Sequence, residues 1–365
     1  NEVAETSEKR GIELCGKMTD YCHELDSTRP VTCGINIFFN YLYSLGFGVY
    51  SDKKAQKNKP VGSAFFNYFA GLFGDKFMKL GATLRGCDLK TRPAFAKLDV
   101  AGYNYGILRY KKDIKKYPNR VILGTETFCK DAYKFYELAK KHPSLIGDFV
   151  WAGIDYLGEV GVGAWEYKEY APEFNQGVGW LTAGSGRIDI TGNKTAELAY
   201  TRVAFELDKI NIAVRPVSIT SKRHSPSAWK MTNALQSWAW NGYNGKKTKI
   251  EVYTRAYKAA LYINNRLIGV KRTRKDCKVI YSARYYDGEV IAVALDKDNH
   301  EIARISLKTA QPETILTLKP EKNSVKRNSL CYVNISLTDK NGVVKPFEKA
   351  EIKVSVKGGK LLGLG

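Results

Sequence analysis

A single carboxylate at the end of an apolar run is the feature of this sequence best suited to chemistry. The run is Val121-Ile-Leu-Gly-Thr-Glu-Thr-Phe128, in which Glu126 lies between two threonines. An apolar run without alternation is typical of a strand covered on both faces, as in a parallel sheet. Glu126 would then lie at the carboxyl end of the strand, where α/β barrels place their catalytic groups. The alternative is a structural glutamate paired with an arginine, because an unpaired ionised carboxylate would cost several kcal/mol there.

A second segment also ends in side chains that could contact a substrate. Residues 98–106 predict a strand whose tip carries Tyr103, Asn104 and Tyr105. Neighbouring strand positions point to opposite faces of a sheet. The pattern therefore leaves open which tyrosine faces a site, and both could equally be core residues beneath a loop.

Strands and helices alternate through the first 207 residues. Apolar positions three and four apart predict a helix over 5–26, and residues 29–36 predict a strand. Further strands are predicted at 98–106, 121–128 and 144–155, and further helices at 109–117, 130–141 and 195–207. This alternation is the pattern of a parallel α/β sheet. Four strands, with a helix before the first and after the last, amount to half of an eight-stranded barrel.

The sequence changes character after residue 207. Residues 208–233 contain two prolines and several serines, which predict a linker. Short strands of period two, separated by turns, predict a β-sandwich domain over 234–310. A second such run, with strands expected at 330–337 and 350–356, predicts an incomplete immunoglobulin-like domain over 311–365. The expected fold class is therefore α/β plus all-β.

The net charge of +21 is unevenly distributed over the 365 residues. Residues 1–207 carry 28 Lys and Arg against 24 Asp and Glu, whereas residues 208–365 carry 30 against 13. A basic half could bind nucleic acid, an anionic glycan or a membrane surface. A solvated, lysine-rich set of β-domains explains the same composition. The sequence has no uncharged apolar stretch of about 18 residues, so we expect no membrane span.

The cysteines and histidines argue against several classes of site. Seven cysteines without a CxxC pair predict neither a disulfide framework nor a zinc ribbon, and the four histidines are scattered. This cysteine usage favours a reducing compartment such as the bacterial cytoplasm. The chain begins with Asn1-Glu2 rather than Met, so the lack of a signal peptide leaves the localisation open.

An ordered series of motifs resembles glycoside hydrolase family 2 enzymes of the β-galactosidase type. Asn1-Glu2 resembles the pair that ends the family's fourth barrel strand, and Leu123-Gly-Thr-Glu-Thr127 resembles its seventh, nucleophile-bearing strand. Three further stretches resemble the eighth strand with its loop, the turn before the last helix, and the following sandwich, at residues 149–159, 185–192 and 238–269. The resemblance implies the C-terminal half of a TIM (β/α)8 barrel followed by immunoglobulin-like β-sandwich domains.

The resemblance also implies a reaction. The chain would belong to a retaining exo-glycosidase that hydrolyses terminal β-linked sugars, above all β-D-galactosides. Glu2 would be the acid/base and Glu126 the nucleophile, with the two carboxyl groups about 5–5.5 Å apart across the glycosidic bond. Asn1 would bind the 2-hydroxyl of the sugar, unless it is simply a polar residue at a frayed terminus.

Other substrate contacts follow from the same resemblance. A hydroxyl at the end of the sixth strand, from Tyr103 or Tyr105 beside Asn104, would bind the nucleophile or the sugar. Trp151 would form an apolar floor under the sugar ring, with a core tryptophan as the alternative. Weaker candidates for sugar or loop contacts are Asn36, Asp155, Glu159, Trp165, Tyr167 and Trp180, and Cys129 is expected to be a packed thiol.

Two other functions fit parts of the sequence. A β-glucuronidase would need a basic residue to bind the substrate carboxylate, and Arg109 and Lys130 are available. A non-catalytic glycan-binding or surface protein would use the basic β-domains, but an inert barrel would need neither Glu2 nor Glu126. Nucleic acid is not an expected partner, whereas an oligosaccharide substrate and a homo-oligomer are.

No cofactor is required by the proposed chemistry, and no metal ligands can be assigned. Mg²⁺ or Na⁺ occurs in some relatives of this family, so such an ion is an expectation from resemblance alone. Half a barrel would leave two open sheet edges. We therefore expect the 365-residue chain by itself to be inactive and poorly soluble.

Overall fold

The chain folds into two compact units. The structure is a computed structural model that describes residues 2–3, 5–47, 73–159, 161–165, 167, 181–220, 222–224 and 227–364. The first unit comprises Asn1–Phe205 and Lys222–Thr232, and the second comprises Glu206–Ser221 and Asn233–Gly365. The first boundary lies two residues from the one predicted at 207.

A five-stranded parallel sheet forms the centre of the first unit. Its strands are β1 (Glu2–Val3), β2 (Thr32–Asn36), β3 (Val100–Asn104), β4 (Val121–Thr127) and β5 (Leu145–Val150), hydrogen-bonded in the order β1-β2-β3-β4-β5. The strands predicted from residues 29, 98, 121 and 144 onward are confirmed. Because all five strands are parallel, their carboxyl ends meet at one edge of the sheet.

Helices connect these strands. In the described residues they are α1 (Lys9–Leu25), α2 (Ile37–Ser44), α3 (Asp75–Gly81), α4 (Arg85–Phe95), α5 (Tyr110–Lys116), α6 (Ala132–Ala139) and α7 (Ala196–Ala204). The four predicted helices are present with shorter ends. Two of the helices begin at a side-chain cap: Asn36 accepts from the backbone N–H of Phe39 at 3.0 Å, and Thr195 accepts from that of Leu198 at 3.4 Å.

The first unit has a close-packed apolar core. Its fully buried members include Ile35, Tyr103, Tyr110, Ile122, Phe128 and Phe135, drawn from the sheet and the helices. Gly102 shows how closely β2 and β4 flank β3. A Cβ atom there would clash with the carbonyl oxygen of Cys33 and lie 2.7 Å from a methyl group of Thr125, so only glycine fits.

Apolar side chains are exposed near both edges of the five-stranded sheet. On the edge strand β5, Ile146 and Phe149 are 56% and 63% exposed. The apolar run at residues 144–155 predicts a buried strand, and this prediction is wrong for β5, whose residues are mostly half-buried or exposed. On α1, which follows the other edge strand, Leu14 and Met18 are 56% and 55% exposed, so its predicted apolar face is largely uncovered.

The second unit is all-β. Its strands are β6 (Ile210–Val214), β7 (Lys247–Thr254), β8 (Lys258–Ile263), β9 (Arg266–Arg272), β10 (Lys278–Arg284), β11 (Glu289–Leu295), β12 (Glu301–Lys308), β13 (Ile315–Pro320) and β14 (Val333–Thr338). Two antiparallel sheets, β10-β7-β6 and β12-β11-β8-β9, contribute to one apolar cluster, as a sandwich requires. Strands β13 and β14 form a separate pair.

Two expectations about the second half differ from the structure. A linker is expected over residues 208–233, but Ile210–Val214 forms a fully buried strand that pairs with β7. Part of the same stretch, Lys222–Thr232, belongs to the first unit. The strand expected at 350–356 does not form.

Two global properties follow from the described part of the chain. It contains no helix that is both long and apolar enough to cross a membrane. All seven cysteines lie in described segments and are free thiols.

A buried ion network fixes α5 within the first unit. Arg109 is 3% exposed and donates to Asp113 at 2.8 Å, to Asp88 at 3.3 Å and to the carbonyl oxygen of Ala82 at 3.0 Å. Asp113 is itself fully buried, so its charge depends on these contacts. Removing one partner of such a pair leaves an uncompensated charge in the core.

We predict that Arg109→Leu lowers the free energy of unfolding by about 3–5 kcal/mol, because Asp113 stays buried without its cation. The measurement is urea-induced unfolding followed by far-UV circular dichroism. Arg304→Leu is the control, because Arg304 pairs with Glu301 on the surface and its loss should leave the urea midpoint unchanged. Equal effects of the two substitutions would contradict the prediction.

Candidate active site

The carboxyl ends of two neighbouring strands bring Asn104 and Glu126 side by side. The two residues are register partners in β3 and β4, and the register shifts between Tyr103 and Asn104. Parallel neighbours lie about 4.8 Å apart, so polar side chains at this position can bond across the strands. The edge predicted to carry the chemistry therefore does hold a polar pair.

Both carboxylate oxygens of Glu126 accept a hydrogen bond. The side-chain amide of Asn104 donates to Oε2 at 2.9 Å, and the hydroxyl of Tyr105 donates to Oε1 through a short bond. The hydroxyl of Thr125 donates to Asn104 Oδ1 at 2.7 Å, which orients the amide with its NH₂ group toward Glu126. Donors on both oxygens favour the ionised carboxylate. A charged, oriented carboxylate at a strand end can act as a nucleophile or stabilise a developing cation.

The backbone of Tyr105 turns its ring back toward Glu126. Tyr105 has a φ of 57°, in the left-handed region, and its N–H donates to the carbonyl oxygen of Glu126 at 2.8 Å. Its ring is buried and lies 4.5 Å from the ring of Phe128. The strained backbone and the packed ring together hold the hydroxyl at the carboxylate.

Trp229 also belongs to the hydrogen-bonded group around Glu126. The sequence analysis does not predict this residue as part of the site. Its indole Nε1–H donates to the hydroxyl of Tyr105 at 2.9 Å, and its ring lies 5.7 Å from that of Phe128. The residue falls in the stretch expected to be a linker. The apolar pair Ala228-Trp229 within that polar stretch was the available signal, since both residues are buried in the first unit.

The structure separates the two candidate tyrosines. Tyr103 donates to Asp113 at 2.8 Å and accepts from Arg120 at 2.9 Å, inside the core. Burial, reinforced by the charge of Asp113, raises the pKa of Tyr103 well above its ordinary value. The register shift after Tyr103 and the left-handed conformation of Tyr105 interrupt the strand alternation. Tyr105 therefore contacts Glu126, and Tyr103 does not.

Trp151 follows the last residue of β5 and is partly buried. Its indole N–H donates to the hydroxyl of Tyr156 at 2.9 Å, and the two rings meet edge to face at 5.3 Å. The Trp151–Ala152 peptide bond is cis. Tyr156 in turn donates to Glu159 at 2.5 Å, which gives Glu159 a structural partner in this loop. The role of Trp151 as a floor for a sugar stays a prediction.

Three predicted site residues lie wholly or partly outside the described residues. The backbone of Glu2 pairs with Gly34 in β2, so β1 ends at the same edge of the sheet as β4. The side chain of Glu2 lies outside what the structure describes, as do Asn1 and Trp180. Their roles stay predictions.

The remaining candidates have structural partners. Asp155 accepts from the backbone N–H groups of Gly184, Ser185 and Gly186 at 3.1, 3.2 and 3.3 Å, and Asn36 caps α2. Trp165 stacks on His224 at 3.9 Å, Tyr167 forms a backbone bridge with His224, and Cys129 is buried. Of the two cations considered for a glucuronide, Arg109 is engaged in the core and Lys130 pairs with Asp75.

Asp148 on β5 is a second, half-buried carboxyl group of the first unit. Burial raises its pKa to about 6, opposed by a hydrogen bond from Thr127 and the charge of Arg187. Its Oδ1 has no hydrogen-bond partner among the described residues. The neighbouring Gly124 leaves space for the Asp148 carboxylate, because a Cβ atom at residue 124 would lie 3.0 Å from Asp148 Oδ1. Asp148 is thus a group that can become neutral at mildly acidic pH.

The described residues offer one place where three metal-binding side chains converge. Asp296, Asp298 and His300 meet in the turn between β11 and β12 of the second unit. The Asp296 carboxylate already accepts from the backbone N–H groups of Asp298 and His300, both at 2.8 Å. In the described part of the first unit no such group of His, Cys, Asp and Glu side chains forms, and the expected Mg²⁺ or Na⁺ stays a prediction.

Solved structures share this fold. A glycosyl hydrolase family 2 member from Bacteroides cellulosilyticus matches with a TM-score of 0.71 at 23% identity, covering 94% of this chain and 39% of that one. A second member, from B. cellulosilyticus DSM 14838, matches at 0.64 and 21%, covering 94% and 37%. A beta-glycosidase from Bacteroides vulgatus matches at 0.52 and 18%, covering 91% and 39%. The resemblance stated from the sequence motifs is confirmed at the level of the fold, and the chain spans about two fifths of these neighbours.

Sequence comparison adds one further match. Residues 245–303, which run from just before β7 to the first residues of β12, match a family described as a domain of unknown function, DUF4982. No curated protein matches the chain in sequence.

We predict that Asp148 makes folding of the first unit dependent on pH. Its pKa rises from 3.8 to about 6 on folding, so its contribution to stability is full below about pH 4 and is lost as the pH rises through 6. Asp148→Asn cannot titrate. Its stability relative to the wild type should therefore rise by about 2–2.5 kcal/mol between pH 4 and pH 7. Urea unfolding of both proteins across that range measures the difference, and a constant difference would contradict the prediction.

Proposed function

We propose that this chain, which has the fold of part of a glycosyl hydrolase family 2 member, carries the catalytic nucleophile of a retaining exo-glycosidase. One observation carries the proposal: Glu126 lies at the carboxyl end of a parallel strand with a donor on each carboxylate oxygen. Asn104 and Tyr105 orient the carboxylate at the strand end, as a nucleophile that attacks a sugar requires.

The same proposal includes the C-terminal half of a TIM barrel. The five parallel strands would be strands four to eight, and the exposed apolar residues of α1 and β5 would be covered where the other half closes the barrel. The chain's span of about two fifths of its structural neighbours is consistent with this division. The two edges would then join preceding strands rather than solvent.

Closure of the sheet also explains how two carboxylates could meet. Glu2 and Glu126 lie on strands three steps apart, which in a flat sheet would separate them by about 14 Å. A retaining mechanism needs about 5–5.5 Å. Barrel curvature and two long side chains pointing to the axis would supply the difference. Glu2 would then protonate the leaving oxygen while Glu126 attacks the anomeric carbon, giving a covalent glycosyl-enzyme that water hydrolyses.

The other predicted residues take roles around this pair. Asn104 and Tyr105 orient the nucleophile, Asn1 would bind the 2-hydroxyl, and Trp151 would pack under the sugar ring. These assignments to Asn1 and Trp151 rest on the motif resemblance. None of these steps requires an organic cofactor, and Mg²⁺ or Na⁺ stays an expectation from the family resemblance alone.

The preferred substrate is a terminal β-D-galactoside. A β-glucuronide is the alternative, but the two cations considered for its carboxylate have other partners: Arg109 binds Asp113, and Lys130 binds Asp75. A neutral sugar needs no such cation. A purely glycan-binding function would not explain why both oxygens of Glu126 are held by donors.

The nucleophile can be tested by covalent labelling of the protein as its gene encodes it. A 2-deoxy-2-fluoro-β-galactoside slows release of the glycosyl-enzyme, so we expect one fluorosugar on Glu126, located by peptide mass spectrometry. Glu126→Gln should abolish the label because an amide is a poor nucleophile. Glu137→Gln, on α6 beside Lys140, should keep it.

Two outcomes would contradict the proposal. One is a label on a different residue. The other is the absence of a label with the galactoside and also with the corresponding glucuronide and mannoside, which would favour the glycan-binding function.

A further inference from the structure

We propose that Trp229 is a positioning residue for the nucleophile, which fixes the hydroxyl of Tyr105 as a donor to Glu126. The inference rests on the proposed function, in which Glu126 attacks the sugar. It adds a residue from outside the strand ends, in a segment that follows the last helix of the first unit.

The direction of the hydrogen bonds follows from the chemistry of the groups. An indole N–H can only donate, and a phenol has a single hydrogen to donate. Trp229 donates to the Tyr105 hydroxyl at 2.9 Å, so the hydrogen of that hydroxyl must point elsewhere. Its described acceptor is Oε1 of Glu126. Each bond in such a chain polarises the next, so the indole strengthens the donation to the carboxylate.

Packing fixes the same geometry. Trp229 is 7% exposed and meets the Tyr105 ring nearly edge-on, at 79° and 6.4 Å between centroids. Phe128 packs against both rings, at 4.5 Å from Tyr105 and 5.7 Å from Trp229. The phenol therefore cannot swing away from Glu126 without displacing two buried aromatic rings.

The segment that carries Trp229 is anchored independently of Tyr105. Ser227 donates to the carbonyl oxygen of Val162 at 2.9 Å, and the carbonyl oxygen of Lys230 accepts from Trp165 at 3.3 Å. Just beyond, the backbone N–H of Met231 donates to the buried carboxylate of Glu197 on α7. These contacts hold the segment, and with it the indole, independently of the hydrogen bond to Tyr105.

Other buried tryptophans show what a purely structural indole does. Trp238 and Trp240 in the second unit donate to the backbone carbonyl oxygens of Tyr286 and Ser237, at 3.1 and 3.2 Å. The indole of Trp229 instead donates to a side chain, the Tyr105 hydroxyl, that itself donates to Oε1 of Glu126. The acceptor of the indole N–H therefore distinguishes a tryptophan that positions the nucleophile, as we propose for Trp229, from one that only fills the core.

A double-mutant cycle on the labelling rate tests the proposal in the protein as its gene encodes it. With the 2-deoxy-2-fluoro-β-galactoside, Trp229→Phe should lower the rate constant for labelling about tenfold at saturation, with the half-saturating concentration unchanged within about twofold. In a Tyr105→Phe background the same change should have no further effect, because the hydroxyl that links Trp229 to Glu126 is gone. Trp238→Phe, which also loses a buried indole donor, should label at the wild-type rate.

A spectroscopic readout tests the chain of contacts without activity. In protein labelled with ¹⁵N-tryptophan, the indole resonance that disappears in Trp229→Phe should shift in Tyr105→Phe. It should also shift in Glu126→Gln, but not when Glu126→Gln is added to Tyr105→Phe. The resonance of Trp238 should stay in place throughout.

The outcomes separate this inference from the proposed function. Equal slowing by Trp229→Phe in both backgrounds, or equal slowing by Trp238→Phe, would overturn the positioning role while labelling of Glu126 still supported the enzyme. A Trp229 indole resonance that shifts in neither Tyr105→Phe nor Glu126→Gln would also overturn the positioning role. This result does not depend on whether a glycoside is a substrate. If no glycoside labels the protein but the Trp229 indole resonance still shifts in Tyr105→Phe and Glu126→Gln, the glycosidase function is rejected. The hydrogen-bonded contact from Trp229 through Tyr105 to Glu126 is then still supported.

Discussion

A carboxylate at the end of a buried strand needs hydrogen-bond donors, and that requirement organises the first unit. Glu126 receives one donor on each oxygen, from Asn104 and Tyr105. These two hydrogen bonds fix the orientation of the carboxylate. The register shift in β3 and the left-handed backbone of Tyr105 can be understood as local costs that put the two donors in place.

The surrounding core contains two kinds of buried charge, and they behave differently. Arg109 and Asp113 compensate one another, so this pair is costly to break. Burial raises the pKa of Asp148 to about 6, against the opposing charge of Arg187. Placing such a group beneath the strand ends costs stability at neutral pH. The first unit thus combines a rigid anchor with a carboxyl group that prefers to be neutral.

Much of the fold could be predicted from the sequence, because parallel strands are apolar runs that end in polar residues. That rule alone predicts that Glu126 and Asn104 lie at one edge of the sheet, where the two residues are register partners. The rule could not predict whether Tyr103 or Tyr105 contacts Glu126. The answer depends on a register shift and a positive φ, and neither produces a periodic pattern in the sequence. Trp229 was missed for a different reason: proline and serine around it are typical of a linker, although tertiary contacts return the segment to the core.

Chemical rescue is the most direct test of the central claim that Glu126 is the nucleophile. Glu126→Ala would be incubated with an aryl β-galactoside and azide, and the configuration of the product determined by proton NMR. If Glu126 is the nucleophile, we expect a slow reaction that gives the α-galactosyl azide, because azide would attack from the face that Glu126 occupies. A β-galactosyl azide, or undiminished turnover without azide, would contradict the claim.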